Sequence, residues 1–136
     1  MTDKQGYFVL LARLLLMYMF LHEGIAKFGD LDGTAGYIAS AGLPLPKLLA
    51  IGSGTLELVA SALLIVGWQA RWAALALAGF TLLANLLFHN YWTLPADQQM
   101  IAQLFFLKNL AVMGGLLMVF AFGPGSLSLD QRRAAA

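Results

Sequence analysis

The sequence predicts an all-α membrane protein, an antiparallel bundle of four transmembrane helices with a short interfacial segment between helices 1 and 2. Only 11% of its 136 residues are charged, less than half of the roughly one quarter that is usual for a soluble domain. Hydrophobic residues make up 60% of the chain, and the mean hydropathy is +0.77. Four apolar runs are long enough to cross about 30 Å of hydrocarbon, which takes roughly 20 helical residues.

The four predicted spans are bounded by polar or helix-breaking sequences. GDLDG follows the first span, GWQAR the second, HNYWTLPADQ the third and GPG the fourth. The N-terminal MTDKQGYF lacks the basic region and cleavage site of a signal peptide, so we expect the first run to be a retained anchor. The chain length favours a single domain over residues 1–136. The spans are predicted at about 7–28, 47–67, 72–90 and 101–122.

The segment DLDGTAGYIASAGLPLPK, residues 30–47, is too short and too polar to cross the membrane. Tyr37, Ile38 and Leu43 among small residues are compatible with a brief helix lying in the membrane interface. An irregular loop is the alternative. Pro44 and Pro46 would end such a helix and start the second span.

The distribution of basic residues predicts the orientation. An even number of spans places both termini on one side, together with Lys4, Arg71, Arg132 and Arg133. The opposite side has Lys47, with Lys27 at its border. Cytoplasmic loops carry the excess of Lys and Arg, so both termini are predicted to be cytoplasmic.

Composition also bears on partners and metals. The formal net charge is only +1 and no basic block is present, which argues against a nucleic-acid partner. The chain has no cysteine, so it forms no disulfide and no thiolate metal site. With His22 and His89 as its only histidines, it is not expected to hold a metal with protein ligands alone.

A group of polar residues falls in or beside the outer half of the predicted bundle. An unpaired charge in the hydrocarbon costs about 2.5–3.5 kcal/mol, so we expect the two acids and two amines to neutralise each other, with Glu57 and Lys108 as one testable pair. The group either binds a ligand or handles protons, or it only fixes helix register. Arg13 stands alone in the inner half and is expected to snorkel to the headgroups. The polar cluster comprises Glu23, Lys27, Glu57, Asn85, His89, Lys108 and Asn109.

A series of short motifs resembles the DoxX family of small bacterial inner-membrane proteins. An arginine in span one precedes G-x-x-K-F, a G-L-P loop follows, G-x-x-E lies in span two, and GPGSLSLD closes the chain. Only the order and spacing of these pieces together are specific, and Glu23 lies outside the pattern. The family-motif positions beyond the polar cluster are Arg13, Gly24, Gly67, Arg71, Gly123, Pro124, Gly125, Ser128 and Asp130.

The resemblance implies a four-helix protein of the bacterial inner membrane tied to redox metabolism, with quinone as the ligand in some members. No covalent cofactor is implied. Because the chain lacks cysteine and an evident cofactor ligand set, we expect at most a subunit of an oxidoreductase rather than an independent enzyme, and no catalytic residue is assigned.

Three functions are compatible with these residues. The first is a quinone- or small-ligand-binding subunit of a membrane redox complex, with His89 and Lys108 as donors, Glu57 as a proton relay and phenylalanines as walls. The second is an accessory or assembly subunit that docks on other membrane redox subunits or on a second copy. The third is a small-solute or proton pathway. Docking would use small residues, namely Gly114, Gly115, Ala73, Ala74, Ala76 and Ala78.

Overall fold

A computed structural model describes all residues, 1–136, and contains helices but no strand. Four helices are long and apolar enough to cross a membrane, as the sequence predicted. A 3₁₀ turn at Tyr91–Thr93 joins α4 to α5. The helices are α1 (Asp3–Gly29), α2 (Leu31–Ser40), α3 (Pro46–Val66), α4 (Ala70–Phe88), α5 (Ala96–Phe122) and α6 (Leu129–Ala135).

The long helices begin earlier than their apolar runs. The Thr2 hydroxyl accepts a hydrogen bond from the Gln5 amide, and the Gln5 side chain bonds back to Thr2, so α1 starts with a capping box. After Pro95, α5 starts at Ala96 rather than near 101. Hydropathy marks the part of a helix that suits hydrocarbon, whereas caps and prolines set where the helix itself begins.

The segment between α1 and α3 is a helix, so the irregular-loop alternative is wrong. The Asp30 carboxylate accepts a hydrogen bond from the Gly33 amide at 2.9 Å and caps α2. Gly42, at φ 77°, lies between α2 and α3. Pro46 opens α3, where its missing N–H leaves no bond unmade. The interfacial position of α2 stays a prediction.

The bundle is built from two tightly packed helix pairs. α1 packs along α3, and α4 packs along α5, while α3 and α4 join the pairs and α2 lies on α3. α1 and α5 make few contacts with each other. One of these contacts is the packing of the Leu16 side chain against Gly115.

The two ends of the bundle are packed differently. We call the end that carries both termini and the α3–α4 turn the terminal face, and the end that carries α2 and the α4–α5 connection the distal face. Toward the terminal face the bundle is filled by apolar side chains, with alanines of α4 allowing close helix packing. This core consists of Met17, Phe20, Ala60, Leu64, Ala70, Ala73, Ala74, Leu77, Ala78, Leu116 and Val119.

Arg13 corrects the prediction that it snorkels to the headgroups. It is 1% exposed. Its guanidinium donates to the carbonyls of Pro124 at 2.6 Å, Leu127 at 2.8 Å and Ile65 at 3.3 Å. The chain after α5 turns back over the terminal face, so its free carbonyls replace water and headgroups as acceptors.

Residues 123–130 form what we call the C-terminal clasp. The Asp130 carboxylate accepts hydrogen bonds from the amides of Gln69 at 2.8 Å and Ala70 at 2.9 Å, at the start of α4. The Arg71 guanidinium donates to the carbonyls of Phe120 and Ala121 at the end of α5. These side chains satisfy helix-terminal groups that the helices themselves leave unpaired.

Nearly all family-motif positions lie in or against the C-terminal clasp. Gly67, Gly123 and Gly125 have φ of 72°, 87° and 84°, a region that favours glycine. The Ser128 hydroxyl donates to the Gly125 carbonyl and accepts from the Gln131 amide, which starts α6. Of the nine family-motif positions named above, all except Gly24 therefore serve the terminal face.

Candidate ligand-binding pocket

A cavity of about 870 Å³ occupies the distal half of the bundle. α1 to α5 all contribute to its walls, and most of the lining is apolar. The three phenylalanines that the sequence suggested as walls, Phe20, Phe88 and Phe105, are part of it. On the side of the pocket that faces the terminal face, the apolar core begins one to two helical turns from the polar lining residues. The cavity is therefore a pocket with a closed floor.

The structure brings six residues of the polar cluster into the lining of this pocket. Asn85 is the seventh, and it lies buried between α4 and α5 instead. Its side chain donates to the Phe106 carbonyl at 3.1 Å and accepts from the Asn109 amide group at 2.9 Å. This residue joins two helices. The six that line the pocket are Glu23, Lys27, Glu57, His89, Lys108 and Asn109.

One ion pair crosses between helices inside the pocket. Lys27 Nζ lies 2.7 Å from Glu57 Oε1 and joins α1 to α3. The helices cross closely at this level, because a Cβ on Gly54 would lie only 2.9 Å from the Phe28 ring. A Cβ on Gly24 would lie equally close to the Leu58 side chain.

The expected pairing of Glu57 with Lys108 is wrong. Lys108 forms no ion pair, and its ammonium lies 4.9 Å from the centre of the Phe105 ring. It projects from α5, whereas α3, which carries Glu57, packs along α1. The helix pairing, which the sequence did not reveal, selects Lys27 as the partner.

Two carboxylates of the pocket are not fully satisfied by the protein. Glu57 is 1% exposed, and its Oε2 has no hydrogen-bond donor. Glu23 lines the pocket one turn before Lys27 and forms neither an ion pair nor a side-chain hydrogen bond. Buried polar groups in proteins are usually satisfied, so Glu57 Oε2 is a candidate for contact with a ligand, and the exposed Glu23 carboxylate is a second free acceptor in the lining.

Aromatic stacking builds the wall formed by α4 and α5. The His89 ring stacks on Phe105 with ring centres 5.4 Å apart. Lys108 approaches the same Phe105 ring, an arrangement that cation–π attraction stabilises. His89 and Lys108, the two donors proposed from the sequence, therefore share one aromatic support.

The structure adds a pocket residue that sequence reasoning missed. Tyr37 of α2 stacks on Phe88 of α4 with ring centres 5.0 Å apart, which connects α2 to the far wall. Burial raises the pKa of the Tyr37 hydroxyl, and the nearby Glu23 carboxylate raises it further. The hydroxyl is therefore neutral at physiological pH and able to donate. The only sequence signal for this position was an aromatic ring within the predicted interfacial segment.

The pocket does not contain a metal-binding constellation. No three side chains of the His, Cys, Asp or Glu type lie close enough together to hold a metal ion. Its polar groups are amines, carboxylates, hydroxyls, an imidazole and a side-chain amide, set in apolar walls. Such a site can orient a ligand by hydrogen bonds and charge.

The DoxX family profile matches residues 8–90, which cover α1 to α4 from residue 8 onward. The chain belongs to the DoxX family. Inner membrane protein YphA of Escherichia coli is 34% identical over 124 residues, covering 91% of this chain and 89% of the relative. Inner membrane protein YqjF of E. coli is 35% identical over 128 residues, covering 90% and 89%. With four spans and these relatives, it is a multi-pass inner-membrane protein.

A more distant relative is a Surfeit locus protein 4 homolog of Schizosaccharomyces pombe. It is 28% identical over 133 residues, which are 96% of this chain but 39% of that protein. No solved structure matches the chain.

Proposed function

We propose that this DoxX protein is a quinone- or small-ligand-binding subunit associated with a membrane redox complex, and that the distal pocket holds the ligand. The supporting observation is the cavity of about 870 Å³, in which six side chains of the polar cluster line a largely apolar wall. Ligand sites typically measure about 300–1,000 Å³ and combine apolar walls with a few oriented polar groups.

The loosely packed side of the bundle supports a lipid-soluble ligand. α1 and α5 both line the pocket but make few contacts with each other. A hydrophobic tail could lie between them and extend into the bilayer. Both termini are proposed to be cytoplasmic, which would place the pocket in the outer half of the membrane.

The chemistry of the pocket suits a quinone head group. Quinone carbonyls accept hydrogen bonds, and Lys108 and His89 offer donors on one wall. Phe20 and Phe88, which also line the pocket, can pack on the quinone ring. Electrons would have to come from a partner subunit, because no side chain of this cysteine-free chain is an evident electron carrier.

Two observations weigh against the other functions. Ala73, Ala74 and Ala78 are buried in the bundle core, so the small face of α4 is not free to dock on a partner. Of the six small residues considered for docking, only Ala76 and Gly114 are exposed. A transport pathway would have to cross the floor of the pocket, which buried leucine and methionine side chains close.

Purification from native membranes in mild detergent tests the proposal, followed by mass spectrometry of proteins and extracted lipids. We expect a stoichiometric quinone with the wild-type protein, and less of it with Glu57→Gln or His89→Ala. Arg132→Ala, on exposed α6, is the matched control and should retain the ligand. A stoichiometric protein partner without any small molecule would instead identify an accessory subunit.

A further inference from the structure

Opposite charges stand unpaired on α1 and α5, two helices that make few contacts with each other. Glu23 on α1 and Lys108 on α5 both line the pocket, and neither forms an ion pair. Most charges inside a membrane bundle are paired because an isolated charge is expensive there. Glu23 and Lys108, which line one cavity without forming ion pairs, are therefore available to a third group bound in it.

The pocket also offers both hydrogen-bond donors and hydrogen-bond acceptors. Lys108 supplies only donors, and an ionised carboxylate supplies only acceptors. The carboxylate oxygens of Glu23 receive no hydrogen bond. Glu57 Oε2, which is buried deeper in the same pocket, also lacks a donor. A head group that only accepts hydrogen bonds satisfies Lys108 and leaves the acidic side unmatched.

We infer that the pocket selects a hydroxyl-bearing aromatic head group, as in a quinol, over the corresponding carbonyl-only quinone. This inference rests on the proposed function and specifies it. The ligand hydroxyl donates to Glu23 and accepts from Lys108, so the head group bridges α1 and α5. Glu23 is the specificity-determining residue.

The preference follows from the unequal cost of unmatched polar groups. A hydroxyl keeps the carboxylate hydrogen-bonded after water has left the pocket. A quinone oxygen faces it without a proton to share, and a desolvated acceptor without a donor is costly. We expect the hydroxyl-bearing ligand to bind more tightly by on the order of tenfold.

A pair of air-stable probes isolates the hydroxyl from redox chemistry. 4-Decylphenol and 4-decylanisole have the same ring and tail, and only the phenol can donate a hydrogen bond. Their affinities are measured on the full-length protein in detergent by ligand-dependent thermal stabilisation, which reports binding to the folded state. The anaerobic quinol and quinone of one decyl-substituted benzoquinone form the second pair.

Glu23→Met tests the assigned residue, since methionine has similar length and no charge. The phenol should then lose its advantage and bind like the anisole, whose affinity stays unchanged. His22→Met is the matched control, because His22 is the exposed neighbour of Glu23 on α1 and does not line the pocket. Both variants alter exposed side chains, and their unliganded melting temperatures report whether they fold as the wild type does.

The outcomes separate this inference from the proposed function. Equal affinity for phenol and anisole, or for quinol and quinone, would overturn the selection of a hydroxyl while the pocket remains a ligand site. Binding of neither member of either pair would overturn both. A phenol preference that survives in Glu23→Met would remove Glu23 from the role.

Discussion

The terminal and distal faces of this bundle use charged residues in different ways. At the terminal face, Arg13 donates to three carbonyls and Asp130 accepts from two amides, so backbone groups satisfy both charged side chains. At the distal face, Glu23 and Lys108 remain without ion-pair partners around a cavity. The charges at the terminal face hold the fold together, whereas the distal pocket combines one ion pair with two charged groups that are free to contact a ligand.

Breaking the clasp should have the largest effect on stability. Arg13→Met removes three hydrogen bonds from a charged donor and leaves the Pro124 and Leu127 carbonyls without it. We expect a loss of about 3 kcal/mol in the free energy of unfolding, measured by denaturant titration in detergent. Arg132→Met is the control and should change little. A wild-type stability for Arg13→Met would contradict the architectural role.

The ion pair in the pocket should have the next largest effect. Glu57→Leu leaves the Lys27 ammonium without its 2.7 Å partner, and we expect about 2 kcal/mol of destabilisation. Combining it with Lys27→Met should recover part of that loss, giving a coupling energy of about 1 kcal/mol in unfolding measurements.

The same cycle with Lys108→Met in place of Lys27→Met is the internal control. Lys108 makes no ion pair, so its effect should add to that of Glu57→Leu within about 0.5 kcal/mol. Coupling of Glu57 to Lys108 rather than to Lys27 would reverse the assignment of the pair.

Removing the cap on α4 should have a smaller effect. Asp130→Ala leaves the Gln69 and Ala70 amides without their carboxylate acceptor. We expect a loss of about 1 kcal/mol in unfolding free energy. Asp97→Ala, which removes an exposed acid in the first turn of α5, should cost only a few tenths of a kcal/mol. Equal losses from the two changes would argue that the Asp130 cap on α4 does not stabilise the bundle.

The smallest expected effect concerns the contact between α2 and the pocket wall. Tyr37→Ala removes the ring that stacks on Phe88, and we expect a loss of about 0.5–1 kcal/mol. Tyr37→Phe retains the ring and should keep the wild-type melting temperature. If Tyr37→Phe were as destabilising as Tyr37→Ala, the hydroxyl rather than the stack would hold α2.

The sequence located the polar cluster by helix depth but could not pair its members. Depth follows from the rise of 1.5 Å per residue, so Glu23, Glu57 and Lys108 could be assigned to the distal half or its border. Pairing depends on which helices are neighbours. The sequence did not predict that α1 packs along α3, because the four spans have similar mean hydropathies of 1.7, 2.0, 1.6 and 1.9.

Arg13 illustrates the same limit at the other end. Its position in an apolar run correctly marked it as exceptional. Its acceptors, however, belong to residues 65, 124 and 127, which are distant in the chain. Nothing local to Arg13 indicates that a C-terminal segment turns back to meet it.

The sequence by itself determined the fold class, the number of spans and the membership of the DoxX family. These properties depend on hydropathy, on helix length and on the order of short motifs, all of which are local along the chain. Helix packing sets the Lys27–Glu57 pair, the C-terminal clasp and the pocket lined by α1 to α5. Each depends on which helix faces which, and four helices of similar hydropathy leave that choice to packing.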